Sequence, residues 1–313
     1  MPSPRPGRFG SVLTAMVTPF DEHGALDVDG AVTLARWLTG HGSDGLVVAG
    51  TTGESPVLSD AELGQLWQAV CESVTVPVIA GTGSNDTAHS IECTKLAEAA
   101  GAAGILVVTP YYSRPSQEGL SAHFRAVAAA TELPVLLYDI PVRAGRRIER
   151  ATMMGLAREV KNIVGVKDAT ADPAGAARVV AEAPEGFELY SGDDALTLPL
   201  LSVGAVGAVS VAAHWAGDEI AAMVAAWFKG DVEGAQAANA SLFESYDFET
   251  SDAFPNPLPA KAACRVLGLP AGQCRLPLGA APVELEERAR TVIANLGRDV
   301  HAVAGARAGG SLA

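Results

Sequence analysis

Short, near-continuous apolar runs rich in Val, Ile and Leu recur along the chain, with longer amphipathic, Ala-rich segments between them. The runs fall at residues 12–17, 46–49, 76–80, 105–109, 135–138, 163–167, 188–191 and 206–211. Strands that lack polar alternation are covered on both faces, which is the habit of parallel sheet. The segments between them, such as 61–74 and 90–100, repeat apolar residues at helical spacing. Plausible caps stand ahead of two of these, Ser59-Asp60 and Asp86-Thr87. Eight β–α units in about 220 residues predict a (β/α)8 barrel of the TIM type rather than an open doubly wound sheet. An open sheet would want a Gly-rich turn after its first strand, and Thr18-Pro19-Phe20-Asp21 stands there instead.

Beyond the eighth run the pattern is mostly helical. A catalytic barrel is expected over 10–217, a C-terminal helical region over 218–300 and a disordered tail over 301–313. Residues 252–259 read as a turn-rich break between helices, and the acidic run 244–252 as a solvated helix end. The uncharged stretch 195–213 carries Pro199, Gly204 and Gly207. It therefore reads as a short helix followed by a buried strand, not as a membrane span.

Composition narrows the partners. Hydrophobic residues make up 49% of the 313, so a packed globular core is expected. A net charge of −14 argues against nucleic acid and against anionic membrane surfaces. It also repels small carboxylate substrates, so local cations and backbone N–H groups must supply their binding. The four cysteines show no paired C-x-x-C spacing, which fits free thiols in a reducing cytoplasm. No secretory apolar stretch precedes the first run.

In barrels of this type functional residues gather at the C-terminal ends of the strands. Those ends carry Thr51 and Thr52, Tyr111 and Tyr112, Tyr138 and Arg143, then Lys167. A lysine buried at a strand end loses hydration, which disfavours its ammonium form and frees a nucleophilic amine. A tyrosine nearby can move the protons that carbonyl–amine condensation requires. Together they predict an enzyme that works through an imine on Lys167, with no other cofactor and no metal. Strict strand alternation would turn Lys167, Gly165 and Ile163 into the barrel with Tyr138 and Leu136, and Asp168 away from it. Taken singly the same residues have plainer readings: turn-capping threonines, rim aromatics, an arginine in a surface ion pair. No H-E-x-x-H, Walker A or G-x-S-x-G string occurs, and Gly81-Thr82-Gly83 lacks the third glycine of a dinucleotide turn.

The strings GTTGES at 50–55, TPYY at 109–112, YDIPVRAG at 138–145, GVKDA at 165–169 and SGDDA at 191–195 resemble the dihydrodipicolinate synthase family. That family belongs to the pyruvate-dependent class I aldolases related to N-acetylneuraminate lyase, and the likeness runs from about Gly10 to Leu296. The resemblance implies a lyase of lysine (diaminopimelate) biosynthesis that condenses pyruvate with L-aspartate 4-semialdehyde. It implies Lys167 as the Schiff-base residue and Tyr138 as proton donor and acceptor. Thr51 and Tyr112 would complete a proton relay, with Tyr112 reaching into a neighbouring subunit of a homotetramer. Thr52, Val209 and Gly192 would line the pyruvate pocket, and Arg143 would bind the semialdehyde carboxylate. Asp139 stands where asparagine is common in the family, and Ala144 where threonine is common. Lysine-sensitive members carry a glutamate where this chain has His89, and no histidine occurs in 59–63, so feedback inhibition by lysine is expected to be weak or absent. Two other readings remain open: a sister aldolase acting on a 2-keto-3-deoxy sugar acid or N-acetylneuraminate, and a non-catalytic keto-acid-binding paralogue.

Overall fold

The structure, a computed structural model, describes residues 6–298. Eight strands close into one parallel barrel in chain order, β1 (Val12–Ala15), β2 (Gly45–Val48), β3 (Val78–Gly81), β4 (Gly104–Val108), β5 (Val135–Asp139), β6 (Ile163–Asp168), β7 (Glu188–Ser191) and β8 (Gly207–Ser210). The expected fold is the observed one. Boundaries shift by up to two residues where the ladder ends: Met16, Val17 and Thr109 leave their strands for the loops above them. Helices alternate with the strands and bury one apolar face against the barrel wall. The two expected caps are in place. Ser59 and Glu62 form a reciprocal capping box, and the Asp86 side chain accepts from the N–H groups of Ala88 and His89.

Two apolar layers result. The outer layer lies between strands and helices, and a smaller one fills the barrel with Phe9, Leu13, Ile79, Leu106, Leu136 and their neighbours. This is the packed interior that parallel barrels require, not a pore.

The alternation expected for β6 needs one correction. Leu136, Tyr138 and Gly165 face inward, but Ile163 belongs to the outer layer and Val164 packs on the inner one. The reason is a bulge: Val135 pairs with Ile163 while Leu136 already pairs with Gly165, so one extra residue shifts the parity.

After β8, the helix Ala213–Phe228 packs back on β1 as the helix of the eighth unit, so residues 217 and 218 share one helix. The helices Val232–Ser241, Phe243–Glu249, Leu258–Val266 and Val283–Asn295 follow. The acidic run is not a solvated end. Within Phe243–Glu249, Ser245, Tyr246 and Phe248 are buried; Trp215 donates to Ser245 Oγ at 3.1 Å and meets Phe248 edge-on. Apolar and aromatic residues interleaved with the acids make that helix amphipathic, and its packed face takes Glu249 inward with it. The stretch 195–213 splits into the helix Thr197–Ser202 and β8, and among the described residues no helix is long and apolar enough to cross a membrane. The expected tail at 301–313 lies outside the described residues.

Candidate active site

Lys167 and Tyr138 are cross-strand partners. β5 and β6 run in register there, pairing Tyr138 with Lys167 and Asp139 with Asp168. Both side chains turn inward at the C-terminal end of the barrel, where Lys167 is 4% exposed and its Nζ lies 4.3 Å from the centre of the Tyr138 ring. Room for the lysine stem comes from Gly192, whose added Cβ would stand 3.1 Å from Lys167 Cε and 3.0 Å from the Asp168 carbonyl oxygen. Val209 is buried on β8 among the inner residues.

Above this pair opens a cavity of about 430 Å³, whose wall includes Thr51, Tyr111, Tyr112, Tyr138 and Arg143. Lys167, Thr52, Gly192 and Val209 do not line it; Lys167, Thr52 and Val209 are buried and Gly192 is half-buried. Thr52 is buried, and its Oγ1 accepts from Asn256 Nδ2 at 2.9 Å. The Asn256 carbonyl in turn accepts from an Arg143 guanidinium nitrogen at 3.3 Å. Asn256 therefore bridges two predicted site residues. From sequence its loop reads only as a break between helices. No local signal sets Asn256 apart from other polar turn residues.

The β2 loop is anchored from below. Glu54, in a left-handed conformation, forms an ion pair with Lys261 Nζ at 2.6 Å, and both side chains are almost fully enclosed. Lys261 Nζ also donates to the Gln273 carbonyl and lies 4.1 Å from the centre of the Phe20 ring. Burial pulls the Lys261 ammonium below its ordinary range, and Glu54 opposes that pull. Arg275 closes the other side with two hydrogen bonds to Glu62, which hold that carboxyl down at about 2.

Tyr112 differs from the rest. Its side chain is 91% exposed on the rim, and its backbone holds φ +71°, a conformation L-residues seldom adopt.

Three acids complete the surroundings. Asp139 accepts from the Ile148 N–H at 3.1 Å through Oδ1, while Oδ2 has no hydrogen-bond partner. Burial pushes this carboxyl up to about 7, with Asp168 adding to the rise. Behind Lys167, Asp194 Oδ2 accepts from the N–H groups of Val211 and Ala212 at 2.7 and 3.1 Å. Glu249 faces the same carboxylate, and burial followed by the charge of Asp194 holds Glu249 well above the usual carboxylate range. Asp194 Oδ1 and Glu249 Oε2 have no hydrogen-bond partner, and Lys167 lies within Coulombic reach of Glu249.

A closed parallel barrel with a lysine and a tyrosine in register at its C-terminal mouth has the parts imine chemistry needs, and the comparisons make it a lyase of the class I aldolase type. The chain belongs to the dihydrodipicolinate synthetase family, whose model matches residues 8–296. It is similar to the 4-hydroxy-tetrahydrodipicolinate synthase of Moorella thermoacetica, 52% identical and covering 93% of this chain and 99% of that one. The synthase of Acidothermus cellulolyticus is also 52% identical, over 94% of each chain. Among solved structures, the dihydrodipicolinate synthase of Cyanidioschyzon merolae with lysine bound superposes with a TM-score of 0.90 at 42% identity, covering 93% of this chain and 99% of that one.

Proposed function

We propose that the protein condenses pyruvate with L-aspartate 4-semialdehyde to 4-hydroxy-tetrahydrodipicolinate, through an imine on Lys167, in lysine biosynthesis. The observation that carries this reading is the in-register Lys167–Tyr138 pair at the mouth of a family barrel. In it, the Lys167 amine adds to the keto carbon of pyruvate, and water leaves as Tyr138 supplies the proton to the departing oxygen. Loss of a methyl proton gives the enamine, whose carbon attacks the aldehyde and forms the new C–C bond, and the alkoxide takes a proton. The amine of the second substrate then displaces Lys167 from the imine carbon, which closes the ring and frees the enzyme. Thr51 and Tyr112 relay protons to Tyr138, so that no full charge need sit on the electron-rich enamine.

Carboxylate recognition falls to separate groups. Thr52 and the nearby backbone, with Val209 and Gly192 shaping the floor, hold pyruvate. The Arg143 fork binds the semialdehyde carboxylate and supplies the local positive charge that the acidic surface withholds. The exposed Tyr112 supports assembly, since such a ring gains its role by entering a second subunit's site. The proposed form is a cytoplasmic homotetramer built from two such dimers. Apolar Val142 and Ala144 beside Arg143 favour the semialdehyde over a polyhydroxylated sugar acid. With His89 in place of a carboxylate, lysine is a weak effector or none.

The test is borohydride reduction after incubation with pyruvate, followed by mass spectrometry. An adduct on Lys167 and turnover with aspartate semialdehyde in a coupled assay are expected. Trapping without turnover of the semialdehyde would shift the reading to a sister aldolase, and no trapping would reject the imine. Mixing Lys167→Ala with Tyr112→Phe subunits should restore activity in hybrid sites.

A further inference from the structure

Away from the barrel mouth, the helices Asp60–Ser73 and Thr87–Ala99 lie side by side and bring together three side chains that the proposed reaction does not use. His89 and Cys93 are four residues apart, hence on one face of the second helix, and Asp60 opens the first. His89 Nε2 stands 3.5 Å from Cys93 Sγ and 3.7 Å from Asp60 Oδ1. All three donor atoms fall within 4.8 Å of one another.

These separations have a chemical meaning. Ligands held tetrahedrally at zinc distances of about 2.0–2.3 Å are themselves about 3.3–3.6 Å apart. The observed sulfur–nitrogen edge meets that range, and the nitrogen–oxygen edge exceeds it by an amount a side-chain torsion can remove. The same imidazole nitrogen faces both neighbours, as a shared central ion would require. Access is graded from a buried Cys93 through a half-buried His89 to an exposed Asp60, which leaves a solvent-facing fourth position. A thiolate, an imidazole and one carboxylate suit zinc and not calcium or magnesium, which want oxygen ligands. Asp60 is free to serve: it accepts no hydrogen bond among the described residues, while nearby Glu62 is committed to Arg275 and Ser59.

We propose that Asp60, His89 and Cys93 form a zinc site with water as the fourth ligand, clamping the starts of two successive barrel helices. Binding displaces the Cys93 proton, so affinity rises with pH.

The test uses the full-length protein stripped with a chelator and titrated with Zn²⁺ by calorimetry and with Co²⁺ by absorbance. One zinc per chain is expected, together with a near-ultraviolet thiolate-to-cobalt charge-transfer band and a zinc-dependent rise in melting temperature. All three should vanish in Cys93→Ser and in His89→Ala, weaken in Asp60→Asn and persist in Cys71→Ser. Circular dichroism of the metal-free variants establishes that they fold. Absence of saturable zinc binding, or cobalt bound without a thiolate band, would overturn the site and leave a thiol–imidazole–carboxylate hydrogen-bond chain. Zinc binding that survives Cys93→Ser unchanged would overturn it equally.

Discussion

Two sets of residues converge on the cavity by different routes. Tyr138 and Lys167 are placed by sheet register alone: adjacent strands, matched positions, side chains turned the same way. Thr52 and Arg143 are instead linked by Asn256, which arrives from a loop between C-terminal helices, 204 and 113 residues away in sequence. The first set inherits the rigidity of a closed ladder. The second depends on how the helical appendage is docked, and the enclosed Glu54–Lys261 pair ties that appendage to the β2 loop. In the proposed reading, chemistry at the keto carbon falls to strand-paired residues, and carboxylate recognition to residues tied to the helical appendage.

The comparison can be broken most severely at the strands. Lys167→Ala should abolish both turnover and the reducible pyruvate adduct while leaving the fold intact. Tyr138→Phe should still bind pyruvate but slow kcat by about 10²–10⁴-fold, the usual worth of a positioned acid–base group. The second region should fail differently. Lys261→Ala strands a buried carboxylate at Glu54 and should cost about 3–5 kcal/mol in urea unfolding, with KM raised along with it. Replacing both partners, Glu54→Gln with Lys261→Met, should recover part of that loss.

Asp139 sharpens the contrast through pH. Its carboxyl is raised from an ordinary 3.8 to about 7, so the folded chain keeps a proton that the unfolded chain has released. The folded state binds more protons between those values, and stability therefore falls as pH rises through that window, by about 4 kcal/mol. Asp139→Asn should flatten this dependence when melting temperatures are compared at pH 5 and pH 8. A slope that Asp139→Asn leaves unchanged would assign the titration elsewhere. The smallest effect is expected at Asn256→Ala, which unties Thr52 from Arg143. It should lower kcat/KM about tenfold, mostly through KM, in line with one or two lost hydrogen bonds.

The strand-borne half of the site was legible in the sequence because its signals are local. An apolar run, a terminal lysine and a terminal tyrosine each occupy a few consecutive residues, and parallel strands need no distant partner to reveal their period. The appendage-borne half was not. Nothing local distinguishes Asn256 from any polar turn residue, or Glu249 from the solvated acids beside it, until the helices are packed. Ile163 failed for a subtler reason, since apolar residues on both faces give no hint of where alternation slips. The helix caps at Ser59 and Asp86 succeeded because capping involves only three or four neighbouring positions.

The slip in β6 has a practical corollary for anyone redesigning this scaffold. With Val164 inserted, the lower half of the strand answers to the surrounding helices and the upper half to the reacting centre, each with its own phase. Excising that single residue would force the two phases to agree. The amine and the root of the strand would each keep the face they hold now, and only the inward packing of Val164 would be lost.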